Sequence, residues 1–164
     1  KKELARRLGA DVSIEGDPYE SIARETGGKL YRAPLGNNTM LGGFDLVYDC
    51  VGYSQTIHDS LRWLAAKGTY VMIGNQLEPV RFDQTPIWQQ EITVMGINAH
   101  GQEHFQGRDV SSFDLAIEMI AAGRVRLEGF VTHRFALDDY RKAFKLVKEK
   151  SAEVIKAVFA VARP

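Results

Sequence analysis

The chain has 164 residues, and its 21 basic and 21 acidic side chains leave no formal net charge at pH 7. That balance gives no global pull toward nucleic acid or an anionic membrane, and no apolar stretch approaches the ~20 residues that span a bilayer. The lone cysteine, Cys50, cannot close an internal disulfide, so a reducing, cytoplasmic setting is expected.

The elements alternate along the chain. Leu4, Ala5 and Leu8 mark one face of an opening helix that Gly9 stops. Residues 11–14 read as a short strand. Asp17-Pro18-Tyr19-Glu20 reads as a helix start, with Asp17 as cap, Pro18 in the first turn and Glu20 in the capping-box position. That helix runs to Gly27-Gly28, and residues 29–43, with Pro34, Asn37-Asn38 and Gly42-Gly43, read as loop.

A strong apolar strand follows at 44–51, ended by Gly52. Ser54 then caps a helix whose inner face is Ile57, Leu61, Leu64 and Ala65, stopped at Lys67-Gly68. Residues 69–73 and 92–95 predict two more strands, separated by a segment punctuated by Pro79 and Pro86. Phe113, Ala116, Ile117, Ile120 and Ala121 form the cleanest helical stripe, ended by Gly123. A strand at 130–135 precedes a helix from Asp138 with Tyr140, Ala143, Phe144 and Val147 inward, and an apolar strand at 154–161 closes the chain.

Strands that are apolar on nearly every residue, alternating with helices, predict an α/β fold with a parallel sheet covered on both faces. Ligands of such sheets bind beyond the carboxyl ends of the strands. Here two strands end directly in glycine, at Cys50-Val51-Gly52 and Met72-Ile73-Gly74, and a third continues from Gly96 into Ile97-Asn98-Ala99. A glycine lets backbone approach a flat ring or ribose closely, although each could equally open an ordinary turn. Spacing alone does not name the ligand.

Resemblance does. Phe44-Asp45-Leu46-Val47-Tyr48-Asp49-Cys50-Val51-Gly52 resembles the D-x-V-x-(D/E)-x-x-G strand of the medium-chain dehydrogenase/reductase superfamily. Gly68-Thr69-Tyr70-Val71-Met72-Ile73-Gly74 and Glu91-Ile92-Thr93-Val94-Met95-Gly96 are similar to its next two strands. The tail from Gly129-Phe130-Val131-Thr132-His133 through Tyr140 to Phe144 resembles its I-T-H-x-F-x-L-x-x-(Y/I)-x-x-A-F return. The ordered set favours the zinc-dependent alcohol and polyol dehydrogenase branch.

The resemblance implies roles for particular positions. Cys50, Val51, Gly52 and Tyr53 would line the adenine and ribose side of an NAD or NADP cleft. Ile73, Gly74 and Asn75 would meet the nicotinamide ribose and carboxamide, and Ile97, Asn98 and Ala99 would complete the nicotinamide pocket through the main chain. Lys156 matches a basic position that reaches the pyrophosphate, where a point charge suits a phosphate; the plain alternative is an exposed edge-strand lysine. As a strand thiol Cys50 is expected to be inert core. His100, Glu103 and His104 cluster in sequence without a ligand geometry, His58 reads as surface, and Trp63 and Trp88 read as packing.

The resemblance also implies what lies elsewhere. The G-x-G-x-x-G loop that holds the pyrophosphate and the acidic residue about 20 positions onward do not occur in this sequence. The expectation is therefore a partial Rossmann-like sheet without its first two strands and glycine-rich loop. Residues 1–125 would finish a nucleotide-binding domain, and 126–164 would return toward a catalytic domain. Zinc is expected only in that N-terminal catalytic domain, so the chain alone is expected to be inactive. The expected partners are that N-terminal part and further copies through the sheet edges, with no nucleic acid and no membrane. A zinc-free quinone or enoyl reductase of the same superfamily, and a non-catalytic α/β binding or assembly module, are the alternatives.

Overall fold

The computed structural model describes residues 1–34, 37–98, 100–149 and 153–161. In chain order the elements begin with α1 (Lys2–Arg7), α2 (Pro18–Thr26), β1 (Lys29–Tyr31), β2 (Thr39–Leu41), β3 (Phe44–Asp49) and α3 (Ser54–Arg62). They continue with β4 (Leu64–Met72), α4 (Thr85–Gln89), β5 (Thr93–Gly96), β6 (Gln102–Phe105), β7 (Arg108–Ser111) and α5 (Ser112–Ala121). The last are β8 (Val131–Phe135), α6 (Tyr140–Lys148) and β9 (Lys156–Phe159). They form two compact units, one of residues Ile14–Ala99 and the other of Lys1–Ser13 with His100–Pro164.

The first unit is a three-stranded parallel sheet in the order β3-β4-β5 with helices packed against it, the α/β arrangement expected from the apolar strands. The α3 stripe does bury: Ile57 and Leu61 pack with Leu64 and Tyr70 of β4 and with Ile92. Burying each such aliphatic chain is worth about 1.5–3 kcal/mol. A second cluster joins Tyr19 and Ile22 of α2 to Met40 of β2, flanked by Phe44 and Trp63. Asp17 caps α2 as predicted, its carboxylate accepting from the Tyr19 N–H at 2.9 Å, and Gly27 closes the helix in the left-handed region at φ 70°.

Several boundaries differ from the sequence expectation. Residues 11–14 have no ladder partner among the described residues and stay irregular, because an extended segment is held by cross-strand hydrogen bonds. Residues 29–43 are not all loop, since β1 and β2 pair antiparallel through Leu30 and Met40. The α3 helix stops at Arg62, and Leu64 already pairs with Phe44 in the sheet. Helical and strand periodicity both turn Leu64 inward, so its apolar character could not place the boundary.

In the second unit β6 and β7 form an antiparallel hairpin that the sequence did not announce. Gln106 (φ 52°) and Gly107 (φ 80°) make its two-residue turn, both in the left-handed region that such hairpins favour. Strands β8 and β9 pair in parallel, with α6 as the crossover between them. On α6 only Ala143 is buried; Tyr140, Phe144 and Val147, expected inward, are exposed. The α5 stripe is likewise present but open, with Phe113 and Ile117 exposed.

Candidate functional site

The three parallel strands end level. Asp49 pairs with Met72, and Met72 with Gly96, so the chain leaves β3, β4 and β5 along one rim of the sheet. Beyond that rim a cleft of about 670 Å³ is lined by Met72, Ile73, Gly74, Asn75, Gly96, Ile97 and Asn98. Its size suits part of a small-molecule ligand. The Ile97 N–H donates to the Met72 carbonyl at 3.0 Å, which ties one side of the cleft to the other.

Five of the residues singled out by resemblance thus share one cleft: Ile73, Gly74, Asn75, Ile97 and Asn98. Cys50, Val51 and Gly52 form the adjoining turn, and Tyr53 leads from it into α3. The turn rests directly on Gly74. A Cβ at Gly74 would lie 2.3 Å from both the N and the carbonyl C of Val51, and one at Gly52 would lie 2.7 Å from the Gly74 carbonyl oxygen. Gly52 also has φ 78°. Both glycines are therefore required by close backbone approach, which goes beyond the usual reason for a turn glycine.

The remaining site residues stand as follows. Ala99 lies outside the described residues. Lys156 is an exposed residue of β9 in the other compact unit, where its N–H and carbonyl both meet the Thr132 hydroxyl. Cys50, expected to be inert core, is exposed because β3 ends at Asp49 and the thiol sits in the open turn. Helix α3 is entered at Tyr53, one residue before the expected cap; the Tyr53 N–H donates to the Thr56 hydroxyl at 3.0 Å.

The sequence reading missed the group that organises this rim. Asp49 is only 4% exposed. Its carboxylate accepts from the N–H groups of Val51 (2.8 Å) and Gly52 (3.0 Å) and from the hydroxyls of Thr56 (2.9 Å) and Tyr70 (2.8 Å). Burial opposes its charge, but the two N–H groups and then the two hydroxyls outweigh burial, so its pKa stays below the ordinary aspartate value. Burial, then the Asp49 carboxylate, pushes the Tyr70 hydroxyl above its ordinary value. The signal available was an acid among the apolar residues of the strand, since a buried acid is rarely left unpaired.

His100, Glu103 and His104 have other partners. His104 Nδ1 meets Asp109 at 2.9 Å, Glu103 accepts from the Ser112 hydroxyl at 2.7 Å, and His100 stands edge-on to Phe113. Among the described residues no group of three or more His, Cys, Asp or Glu could hold a metal ion. Among them too, no helix is long and apolar enough to cross a membrane.

The fold and its strand-end cleft define an open α/β domain of the Rossmann kind. The zinc-binding dehydrogenase family profile matches residues 1–114, and the chain belongs to that family, within the medium-chain dehydrogenase/reductase superfamily. An L-threonine 3-dehydrogenase of Bacillus velezensis is 30% identical over 151 residues, which cover 89% of this chain and 38% of the relative. An L-idonate 5-dehydrogenase of Vitis vinifera is 26% identical over 95% of this chain and 39% of its own length. Among solved structures, a Thermus alcohol dehydrogenase superposes with a TM-score of 0.71 at 21% identity, over 98% of this chain and 41% of that one. A short chain alcohol dehydrogenase from Escherichia coli, solved with NADH, superposes with a TM-score of 0.70 at 18% identity, over 97% and 41%. At such identities the solved structures speak for the fold alone. The chain spans about two fifths of the length of these relatives.

Proposed function

We propose that this chain forms part of an NAD(P)-dependent alcohol or polyol dehydrogenase, in which its strand-end rim supplies the nicotinamide wall and part of the ribose wall of the cofactor site. The observation that carries this reading is the cleft at the ends of β4 and β5, lined by main chain at Gly74, which packs backbone to backbone on the Val51-Gly52 turn. Such a wall suits a flat ring whose carboxamide needs N–H and C=O partners at fixed positions and whose faces need close, apolar neighbours. Ile73 and Ile97, both exposed at the cleft, offer the apolar contact. Bound nicotinamide would accept or give the hydride; the residues present would orient it and keep water from one face. Cys50, Val51, Gly52 and Tyr53 would extend the wall toward the ribose.

The chain would need further protein for turnover. We propose that residues 1–125 complete a nucleotide-binding domain and 126–164 return toward a catalytic domain, where any zinc would be held. No catalytic step through zinc follows from the residues described.

Titration of the 164-residue chain with NADH, followed by amide NMR shifts, tests the reading. The expected result is weak saturable binding, with shifts concentrated at Gly74, Asn75, Ile97 and Asn98 and fewer with adenosine alone. No shift at these residues at any NADH concentration would reject the site, and an unchanged chain would favour a scaffold without redox chemistry.

A further inference from the structure

We infer that Asp49 is the positioning residue of the strand-end rim, fixing the Val51-Gly52 turn with its carboxylate and the Ile73-Gly74 turn with its carbonyl. The cofactor consequence rests on the reading above; the positioning itself rests on geometry. The Asp49 carbonyl accepts from the N–H groups of Ile73 at 2.9 Å and Gly74 at 2.8 Å. With the four contacts to its carboxylate, one residue thus receives six hydrogen bonds from two turns, a helix and the neighbouring strand.

Both carboxylate oxygens are fully used, and they are used differently. Oδ1 accepts the two backbone N–H groups of the turn, while Oδ2 accepts the Thr56 and Tyr70 hydroxyls. The hydroxyl side anchors the carboxylate to α3 and β4, and the amide side passes that anchorage to the turn. Asp49 does not line the cleft, so its influence on a ligand is transmitted through residues that do.

A buried carboxylate at a strand end often serves stability alone. Here its bonds run to the two turns that form the rim, and those turns touch backbone to backbone at Gly74 and Val51. With no side chain between them to adapt, slack in one turn displaces the other. Binding geometry is sensitive to shifts of about 0.5 Å, so a loosened rim costs affinity while the sheet below stays intact.

The distinguishing variants are Asp49→Ala and Asp49→Asn. Alanine removes both oxygens. Asparagine keeps a carbonyl oxygen for the Val51 and Gly52 N–H groups, and the two hydroxyls can rotate to accept from its NH₂. In the 164-residue chain, Asp49→Ala is expected to speed amide exchange at Val51 and Gly52 by about tenfold or more, with Val71 and Met95 in the sheet much less affected, while Asp49→Asn restores most of the protection. Apparent NADH affinity should follow the same order.

Unchanged protection at Val51 and Gly52 in Asp49→Ala would overturn the inference. So would an equal loss throughout β3, β4 and β5, which marks a residue that only stabilises the fold. Should Asp49→Ala not fold, the unsubstituted chain decides: the Val51 and Gly52 amide proton signals should move together in one acid titration, and flat signals would overturn the inference. Absence of NADH binding to the unsubstituted chain, with the exchange pattern as expected, would remove the cofactor reading and leave the positioning role standing.

Discussion

At the residue scale, two strand-end glycines make a controlled pair. A methyl group at Gly74 would meet the Val51 backbone at 2.3 Å, whereas one at Gly96 has nothing within 4 Å and needs no unusual φ. Backbone atoms cannot rotate aside as a side-chain tip can. Gly74→Ala is therefore expected to lower unfolding free energy by about 1–3 kcal/mol, and Gly96→Ala to change it by no more than about 0.5 kcal/mol. Urea denaturation of the two variants checks this, and equal effects would contradict the close approach of the turns.

Arg62 is the second residue-scale case, a guanidinium only 4% exposed at the end of α3. It donates to Asp83 and to Asn37 at 2.6 Å each and to the His58 carbonyl at 3.1 Å. The hydroxyl and N–H of Thr85, then Arg62 itself, hold Asp83 down to about 2. Its folded pKa lies below the unfolded value of about 3.9, so this stabilisation is fully present above that value and fades as pH falls from about 4 toward 2. The Asp83 side chain is 34% exposed, so solvent screens the pair. The unsubstituted chain is expected to lose melting temperature more steeply than Asp83→Asn between pH 4 and pH 2.5, and parallel curves would remove Asp83 from the acid limb.

At the element scale, α2 shows what a short sequence signal can specify. Asp17, Pro18 and Gly27 each do locally what their chemistry predicts, so both ends of the helix were legible. Glu20 departs from its expected capping-box role because Arg32 offers a charged partner at 2.5 Å. Replacing Asp17 with alanine leaves the Tyr19 N–H without its acceptor and is expected to cost about 1 kcal/mol. Thermal or urea unfolding measures it; Glu20→Ala, which removes only an exposed ion pair, should cost about 0–1 kcal/mol.

The hairpins were less legible for a physical reason. Strand β6, Gln102-Glu103-His104-Phe105, has no clear apolar alternation, and its turn begins with Gln106, an uncommon left-handed residue. Its pairing with β7 is fixed by a partner and a turn that no local pattern advertises. The β3, β4 and β5 strands could be read from their runs of apolar residues, of which Leu64, Tyr70 and Val71 are buried while Leu46, Tyr48, Val94 and Met95 are exposed. Two of their glycine ends, Gly52 and Gly74, stand where backbone meets backbone. Asp49 could not be read, since its role depends on Tyr70, 21 residues away. Periodicity likewise located α5 and α6 but could not say whether their stripes are covered, because it records which face is apolar and nothing about a neighbour.

At the scale of the whole molecule, the question is what meets the apolar surface beside β3. That strand forms one edge of its sheet, with Leu46 and Tyr48 exposed. Next to it Ile14, Pro18, Ile22, Phe44, Leu46, Val47 and Trp63 line an open groove of about 450 Å³. The buried Trp63 indole N–H has no acceptor among the described residues. A sheet edge carries unpaired N–H and C=O groups and readily adds another strand, especially where the flanking face is apolar. By itself, the chain is therefore expected to associate through β3, with a light-scattering mass above the 18.4 kDa of one chain that rises with concentration. A charge placed on the exposed flank opposes this, because an added strand would bury it. Leu46→Lys should bring the mass down toward one chain while leaving the α3 and β4 core of Ile57, Leu61 and Tyr70 intact by circular dichroism. A fully soluble unsubstituted chain whose mass stays at 18.4 kDa across the concentration range would contradict association through this edge.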